Sequence, residues 1–222
     1  MNLVLIGGCN FSLHENKLIH SKIIELSKKS KPRLLYIHVS NKKIDDILSS
    51  FKEFDIDLKL YEKLSDIDDS DIIFIGGGNT EEMIKRFNKE GITNKLIEHI
   101  NDKIICGVSA GAIFWFDKYY SDTYSYQNNS YVYNYKLLPG IGYLNGYITP
   151  HYNEVGKENF SDEIDGKFSI ALENNTALFI SDNSIDYVLD RKQSAIYFYL
   201  NNKLYLLDNS NKGIILENIF KK

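Results

Sequence analysis

The sequence predicts an α/β fold: a mostly parallel central sheet with helices on both faces, finished by antiparallel strands at its C-terminal end. Three observations predict it. Short apolar runs alternate with stretches of helical periodicity through the first two-thirds of the chain. Those runs are short and predominantly apolar, as expected of strands of a parallel sheet covered on both faces. The last third breaks into short strand-like runs separated by Asn and Asp turns. With 222 residues and no repeat, linker or low-complexity tract, residues 1–222 are expected to form a single domain.

The elements follow in order. Residues 2–6 (NLVLI) form a first strand ending at Gly7-Gly8, and residues 16–28 place Leu18, Ile19, Ile23, Ile24 and Leu26 at helical spacing. Residues 33–39 read as a strand, 43–54 as a helix and 57–61 as a short strand. Residues 71–75 (DIIFI) form a buried strand that runs into Gly76-Gly77-Gly78. Helices are expected from Thr80 to about Phe87 and near 93–101, then a strand at 103–107 and a helix over 110–116. Residues 117–150, rich in Tyr, Asn, Ser and Gly, read as a long surface segment over the strand ends. The five runs 168–172, 176–180, 185–189, 194–199 and 202–207 read as strands and hairpins completing one edge of the sheet.

Composition narrows the function. A net charge of −4 and a pI near 5.8 argue against a nucleic-acid binder. No apolar run approaches a membrane span, and the N-terminus lacks a basic region followed by a long apolar one, so a cytoplasmic protein without membrane partners is expected. Two cysteines, Cys9 and Cys106, are too few for a disulfide scaffold, and no Cys/His cluster has metal-ligand spacing. No metal or cofactor is expected. Arginine is scarce: Arg33, Arg86 and Arg191 only. Planar, bidentate recognition of a carboxylate therefore has few candidates.

The sharpest motif is Gly107-Val108-Ser109-Ala110-Gly111, a G-x-S-x-G between an apolar strand and a helical run. A serine on so sharp a turn needs small neighbours, and the turn lifts its Oγ toward backbone N–H groups that can receive an oxyanion. A serine nucleophile needs a base. Of five histidines, His20 and His99 fall within helical runs, His14 follows the first strand and His38 ends the second. His151 stands apart, led in by Thr149-Pro150, whose proline holds the approach extended. The carboxylate that would orient the imidazole is left among Asp117, Asp122, Glu154 and Glu173 on chemistry alone, with Glu173 favoured by its place at a strand end. Gly76-Gly77-Gly78-Asn79-Thr80 fits neither phosphate-binding pattern, but its bare backbone could supply a second oxyanion donor.

Taken together, GGGNT, GVSAGA some thirty residues later, the Pro150-His151 pair and the Leu172-Glu173 strand end resemble the peptidase E (aspartyl dipeptidase) family of serine peptidases, with cyanophycinases as more distant relatives. The continuation Ile113-Phe114-Trp115-Phe116 and Ser121-Asp122 is similar to one branch of that family. The resemblance implies a fold like that of class I glutamine amidotransferases, with serine in place of their cysteine. It implies a triad of Ser109, His151 and Glu173, an oxyanion hole at the N–H groups of Gly78 and Ala110, and a further acidic position at Asp122; Asn79, next to Gly78 in sequence, is a further candidate site residue. Family activity is hydrolysis of dipeptides with N-terminal aspartate. Family members often carry an arginine shortly after the histidine, whereas residues 151–157 here run HYNEVGK. Lys157 is then the cation nearest in sequence for a substrate carboxylate, and a weak preference for acidic dipeptides is expected.

The expected function is thus that of a cytoplasmic serine-type hydrolase of small peptides, with a homodimer left open. Its rivals are an inactive or ligand-binding member of the same fold and an esterase of the α/β-hydrolase type.

Overall fold

A computed structural model describes residues 1–39, 44–122 and 133–220. The first residue of the helix expected at 43–54, and residues 123–132 of the tyrosine-rich segment, lie outside the described residues.

Strands β1 (Asn2–Ile6), β2 (Arg33–Ile37), β3 (Asp57–Leu60), β4 (Ile72–Ile75) and β5 (Ile104–Val108) run parallel in the order β1-β5-β4-β2-β3. β10 (Thr176–Ser181) and β11 (Ile185–Leu189) extend the sheet beyond β1 as antiparallel strands, giving seven in all. Successive side chains of a strand point to opposite faces. Leu3, Leu5, Leu35, Ile37, Ile73, Ile75 and Ile105 therefore enter one core, and Val4, Ile6, Leu34, Tyr36, Phe74 and Cys106 enter another. The second face is covered by α1 (Lys17–Leu26), through Ile19 and Ile23, and by α2 (Ile44–Ser50), through Ile47.

The first face meets α4 (Thr80–Glu90) and α5 (Ile92–Glu98), through Met83, Phe87, Ile92 and Leu96. A short α3 (Ser65–Asp69) precedes β4. Helix α4 starts where Asn79 Oδ1 accepts from the Glu82 N–H at 3.1 Å and stops at Gly91, whose φ of 77° suits glycine.

The largest departure from expectation is a second sheet on that first face. It has six strands in the order β13-β12-β9-β8-β6-β7: β6 (Phe116–Ser121), β7 (Lys136–Pro139), β8 (Leu144–Thr149), β9 (Ser169–Leu172), β12 (Ile196–Leu200) and β13 (Lys203–Leu206). Three of these strands lie in the stretch expected to be surface loop. Of the five C-terminal runs, only two complete the first sheet. The strand β6 hides its period behind a register shift between Phe116 and Lys118, opposite Gly146 in β8. Gly146 has a φ of 92° and donates its N–H to Asp117 Oδ2 at 2.9 Å, so the Asp117 carboxylate holds this irregularity and has no part in the site.

The helix expected over 110–116 is only α6 (Ala110–Ile113). The Trp115 carbonyl accepts from the N–H groups of Tyr143 and Leu144 at 2.8 and 2.9 Å, which draws the chain into the second sheet. Residues Lys157–Asn159 form a 3-10 turn leading into α7 (Phe160–Glu163) on the outer face of that sheet, and α8 (Lys212–Ile219) buries Ile215 and Ile219 in the first core.

Candidate active site

The C-terminal ends of β1, β4 and β5 from one sheet meet the ends of β8 and β9 from the other. Open α/β sheets place ligands at such carboxyl ends. Backbone hydrogen bonds knit the junction: His151 N–H to Gly7 O at 3.2 Å, Tyr152 N–H to Leu172 O at 3.0 Å and Asn175 N–H to Gly8 O at 2.8 Å.

Ser109 follows β5 directly. Its φ of 53° and ψ of −113° lie in a region side chains rarely adopt, a strain of about 1–3 kcal/mol. Glycine at either side makes the turn feasible. A Cβ on Gly107 would sit 2.1 Å from Gly111 O, and one on Gly111 would sit 2.5 Å from Ile75 O. A Cβ on Gly77, in the glycine run after β4, would lie 3.3 Å from Ser109 Cβ and 3.9 Å from its Oγ, so that run borders the nucleophile. Ala110, the first residue of α6, follows Ser109 directly, and Gly78 follows Gly77 in the glycine run.

His151, just beyond β8 and also at positive φ (54°), places Nε2 2.9 Å from Ser109 Oγ. Its Nδ1 lies 2.6 Å from Asn174 Oδ1. Since the amide oxygen only accepts, Nδ1 carries the proton and Nε2 is free to accept from the serine hydroxyl. Burial holds the His151 pKa below its ordinary value; Glu154 and the Asn174 bond oppose that shift, and Lys157 adds to it. The ring is therefore neutral at pH 7 and competent as a base.

The expected acid is placed differently. Glu173 does not turn to His151: its Oε2 accepts from the Ala195 N–H at 2.8 Å, while its own N–H donates to Ala195 O. The neighbour Asn174 faces the imidazole instead, and Glu154 Oε1 lies 3.3 Å from Nδ1 and 3.2 Å from Asn174 Nδ2. Gly8 makes room for this arrangement, since a Cβ there would lie 2.1 Å from Asn174 Oδ1 and 2.4 Å from His151 Nδ1. Asn174 and Gly8 are the site residues that sequence reasoning missed.

The remaining candidates separate. Lys157 does not reach a ligand: it is 2% exposed, donates to Tyr120 O at 3.1 Å and Thr149 Oγ1 at 3.2 Å, and lies 4.3 Å over the Tyr135 ring. Burial lowers its pKa to about 7. Asp122 accepts from the Asn134 N–H at 3.0 Å. Asn79 is committed through its oxygen to the start of α4, while its buried Nδ2 has no acceptor among the described residues.

A cleft of about 460 Å³ opens beside His151, lined by residues that include Cys9, Phe11, Glu15, Asn174 and Arg191. Of the three arginines, only Arg191 reaches it. Arg33 is held by Asp71, and Arg86 by His38 O and Glu90. Arg191 pairs with Glu15 Oε1, and Glu15 Oε2 accepts from the Asn10 N–H at 2.8 Å. Burial, helped by Glu15, pushes the Cys9 thiol up to about 12, so it is not a thiolate nucleophile. Among the described residues no group of three His, Cys, Asp or Glu side chains could hold a metal ion, and no helix is long and apolar enough to cross a membrane.

The sequence matches the model of peptidase family S51 over residues 3–188. It is 26% identical over 215 residues to YgaJ, an uncharacterized peptidase of Bacillus subtilis (strain 168), in an alignment spanning 88% of this chain and 90% of that protein. The fold is similar to the crystal structure of a peptidase from an acI-B1 Actinobacterium, with a TM-score of 0.69, 17% identity and 93% of each chain covered. It is also similar to that of a protein from Listeria monocytogenes EGD-e described as a peptidase E, with a TM-score of 0.62, 16% identity, and 85% of this chain and 98% of that one covered.

Proposed function

The chain belongs to peptidase family S51 and is a serine peptidase, and from that premise we propose that it hydrolyses small peptides, with Ser109 as nucleophile and His151 as general base. The observation that carries the reading is the 2.9 Å separation between Ser109 Oγ and His151 Nε2, at a strained strand-to-helix turn.

As Oγ attacks the scissile carbonyl carbon, Nε2 takes the hydroxyl proton. The carbonyl oxygen becomes an oxyanion received by the N–H groups of Gly78 and Ala110, preorganised donors that need not reorient. Collapse of the adduct breaks the C–N bond, and the imidazolium gives its proton to the leaving amine. Water then repeats the sequence on the acyl-serine, with its proton passing to Nε2 and on to the departing serine.

The cleft lies on the Asn174 and Glu154 side of His151 and Ser109 is not among the residues lining it, so the small-peptide reading rests on the family rather than on the cleft's volume. Arg191, paired with Glu15, lines the cleft beside His151, and we assign it the anionic group of the substrate, the role expected of Lys157 from the sequence.

Labelling with a fluorophosphonate, followed by assay against a dipeptide library, tests the reading. The wild-type protein should be labelled at Ser109 and should hydrolyse peptides. Ser109→Ala should remain folded, lose labelling, and lose about 10⁴-fold or more in rate. Absence of labelling in the wild type, or substantial turnover by Ser109→Ala, would overturn it.

A further inference from the structure

We infer that Asn174 and Glu154 act as a pair in place of the orienting carboxylate of a serine triad: Asn174 accepts the Nδ1 proton of His151, and Glu154 fixes which end of the Asn174 amide faces the ring. The inference rests on Ser109 and His151 being nucleophile and base. Both Asn174 and Glu154 are positioning residues, since neither touches Ser109.

An amide in the orienting position carries a specific hazard. It has a donor end and an acceptor end. With Nδ2 toward the ring, Nδ1 would have to accept, the ring proton would move to Nε2, and the base would present a proton to Ser109 instead of a lone pair. That wrong tautomer is why replacing the triad aspartate by asparagine disables a conventional serine protease. Here the donor end has another place to go. Glu154 Oε1, an acceptor when ionised, lies 3.2 Å from Nδ2, and Oδ1 lies 2.6 Å from Nδ1. Only one proton arrangement satisfies every contact: Asn174 Nδ2–H donates to Glu154, His151 Nδ1–H donates to Asn174 Oδ1, and Ser109 Oγ–H donates to His151 Nε2.

The backbone holds the pair in place. Asn174 N–H donates to Asn153 Oδ1 at 2.9 Å, and Glu154 N–H donates to His151 O at 2.9 Å, folding the Glu154 side chain back over the ring. Glu154 Oε1 is also 3.3 Å from Nδ1, so its charge stabilises the imidazolium that forms during attack, which a neutral amide alone cannot do. Further charged or titratable groups around His151, among the described residues, are Lys157, six residues further along the chain, and Cys9, Glu15 and Arg191 along the cleft. Glu15 and Arg191 neutralise each other.

Nitrogen-15 NMR of the His151 ring, with the pH profile of Ser109 labelling by a fluorophosphonate, tests the pair in the full-length protein. In the wild type, neutral His151 should carry its proton on Nδ1. Glu154→Gln, at a half-exposed position, should mix the two tautomers, slow labelling by at least tenfold and move the acid limb of the profile to lower pH, because a charge that raises the His151 pKa is lost. Asn174→Asp should keep the Nδ1 proton and move that limb to higher pH. Glu173→Gln should leave tautomer and limb unchanged. A wild-type ring protonated on Nε2, or a limb that responds to Glu173→Gln and not to Glu154→Gln, would overturn the inference. The ring signals need no turnover. An Nδ1 proton that Glu154→Gln displaces, in a protein whose Ser109 does not label, would count against the nucleophile and leave the pair standing.

Discussion

Asn174 and His151 approach within 2.6 Å directly above Gly8, and no other residue type fits beneath them. A methyl at Gly8 would fall 2.1 Å from Asn174 Oδ1 and 2.4 Å from the imidazole.

Gly8→Ala should therefore displace the imidazole and lower peptide hydrolysis by at least a hundredfold, with a loss of about 1–3 kcal/mol in stability from overpacking. Gly213→Ala is the control. Gly213 lies within α8, and no atom stands within 4 Å of the place a methyl would take, so alanine should stabilise the fold by about 0.5–1 kcal/mol and leave activity unchanged. Urea denaturation and steady-state rates on both variants check the pair.

Stability should fall with acid through His20. This ring is 1% exposed, stacks on Phe51 with centroids 4.6 Å apart, and has no partner for Nε2 among the described residues. Burial lowers its pKa to about 4, against a partial opposing effect of Glu53. The unfolded chain, titrating near 6.5, then binds the extra proton first. The His20 contribution is intact above pH 6.5 and is lost between 6.5 and about 4, amounting to about 3 kcal/mol. His20→Phe should flatten that part of the stability profile measured by denaturant titration.

Specificity should hinge on competition for Arg191. With Glu15 already on the guanidinium, an acidic substrate side chain gains little, and the preference for Asp-X over Ala-X dipeptides should stay within about tenfold, roughly 1.4 kcal/mol. Glu15→Gln should raise that ratio severalfold by freeing Arg191, and Arg191→Ala should remove it. Matched kcat/KM values decide; a ratio indifferent to Arg191→Ala would place the relevant cation elsewhere.

How far the sequence could be read depended on how local each signal was. The parallel core was legible because β1, β4 and β5 are nearly pure apolar runs, and the Ser109 turn because its glycines are required within four residues of one another. The second sheet was not, since β6 is irregular where it pairs with β8 and β7 is half exposed, so neither shows a two-residue period. The residue that faces His151 lies one position beyond Glu173. Along the extended chain Glu173 shares its side with Ala171, in the outer cluster, while Asn174 shares the side of Leu172, in the core beneath the site. An alternation count through β9 carries that signal. Arg191 reaches the cleft only because β10 and β11 fold back beside β1, a long-range pairing that no local pattern announces.

Because Ser109 and His151 follow strands of different sheets, the order of synthesis matters. A nascent chain that has emerged as far as α6 carries Ser109 but neither His151 nor Asn174, and β1 still lacks the neighbour β10 that closes its free side. Such a chain holds an ordinary, unactivated serine. If Ser109 and His151 act as proposed, hydrolytic power arrives only when residues up to about 181 have been made and docked, and the topology itself would keep the protein dormant while it is being translated.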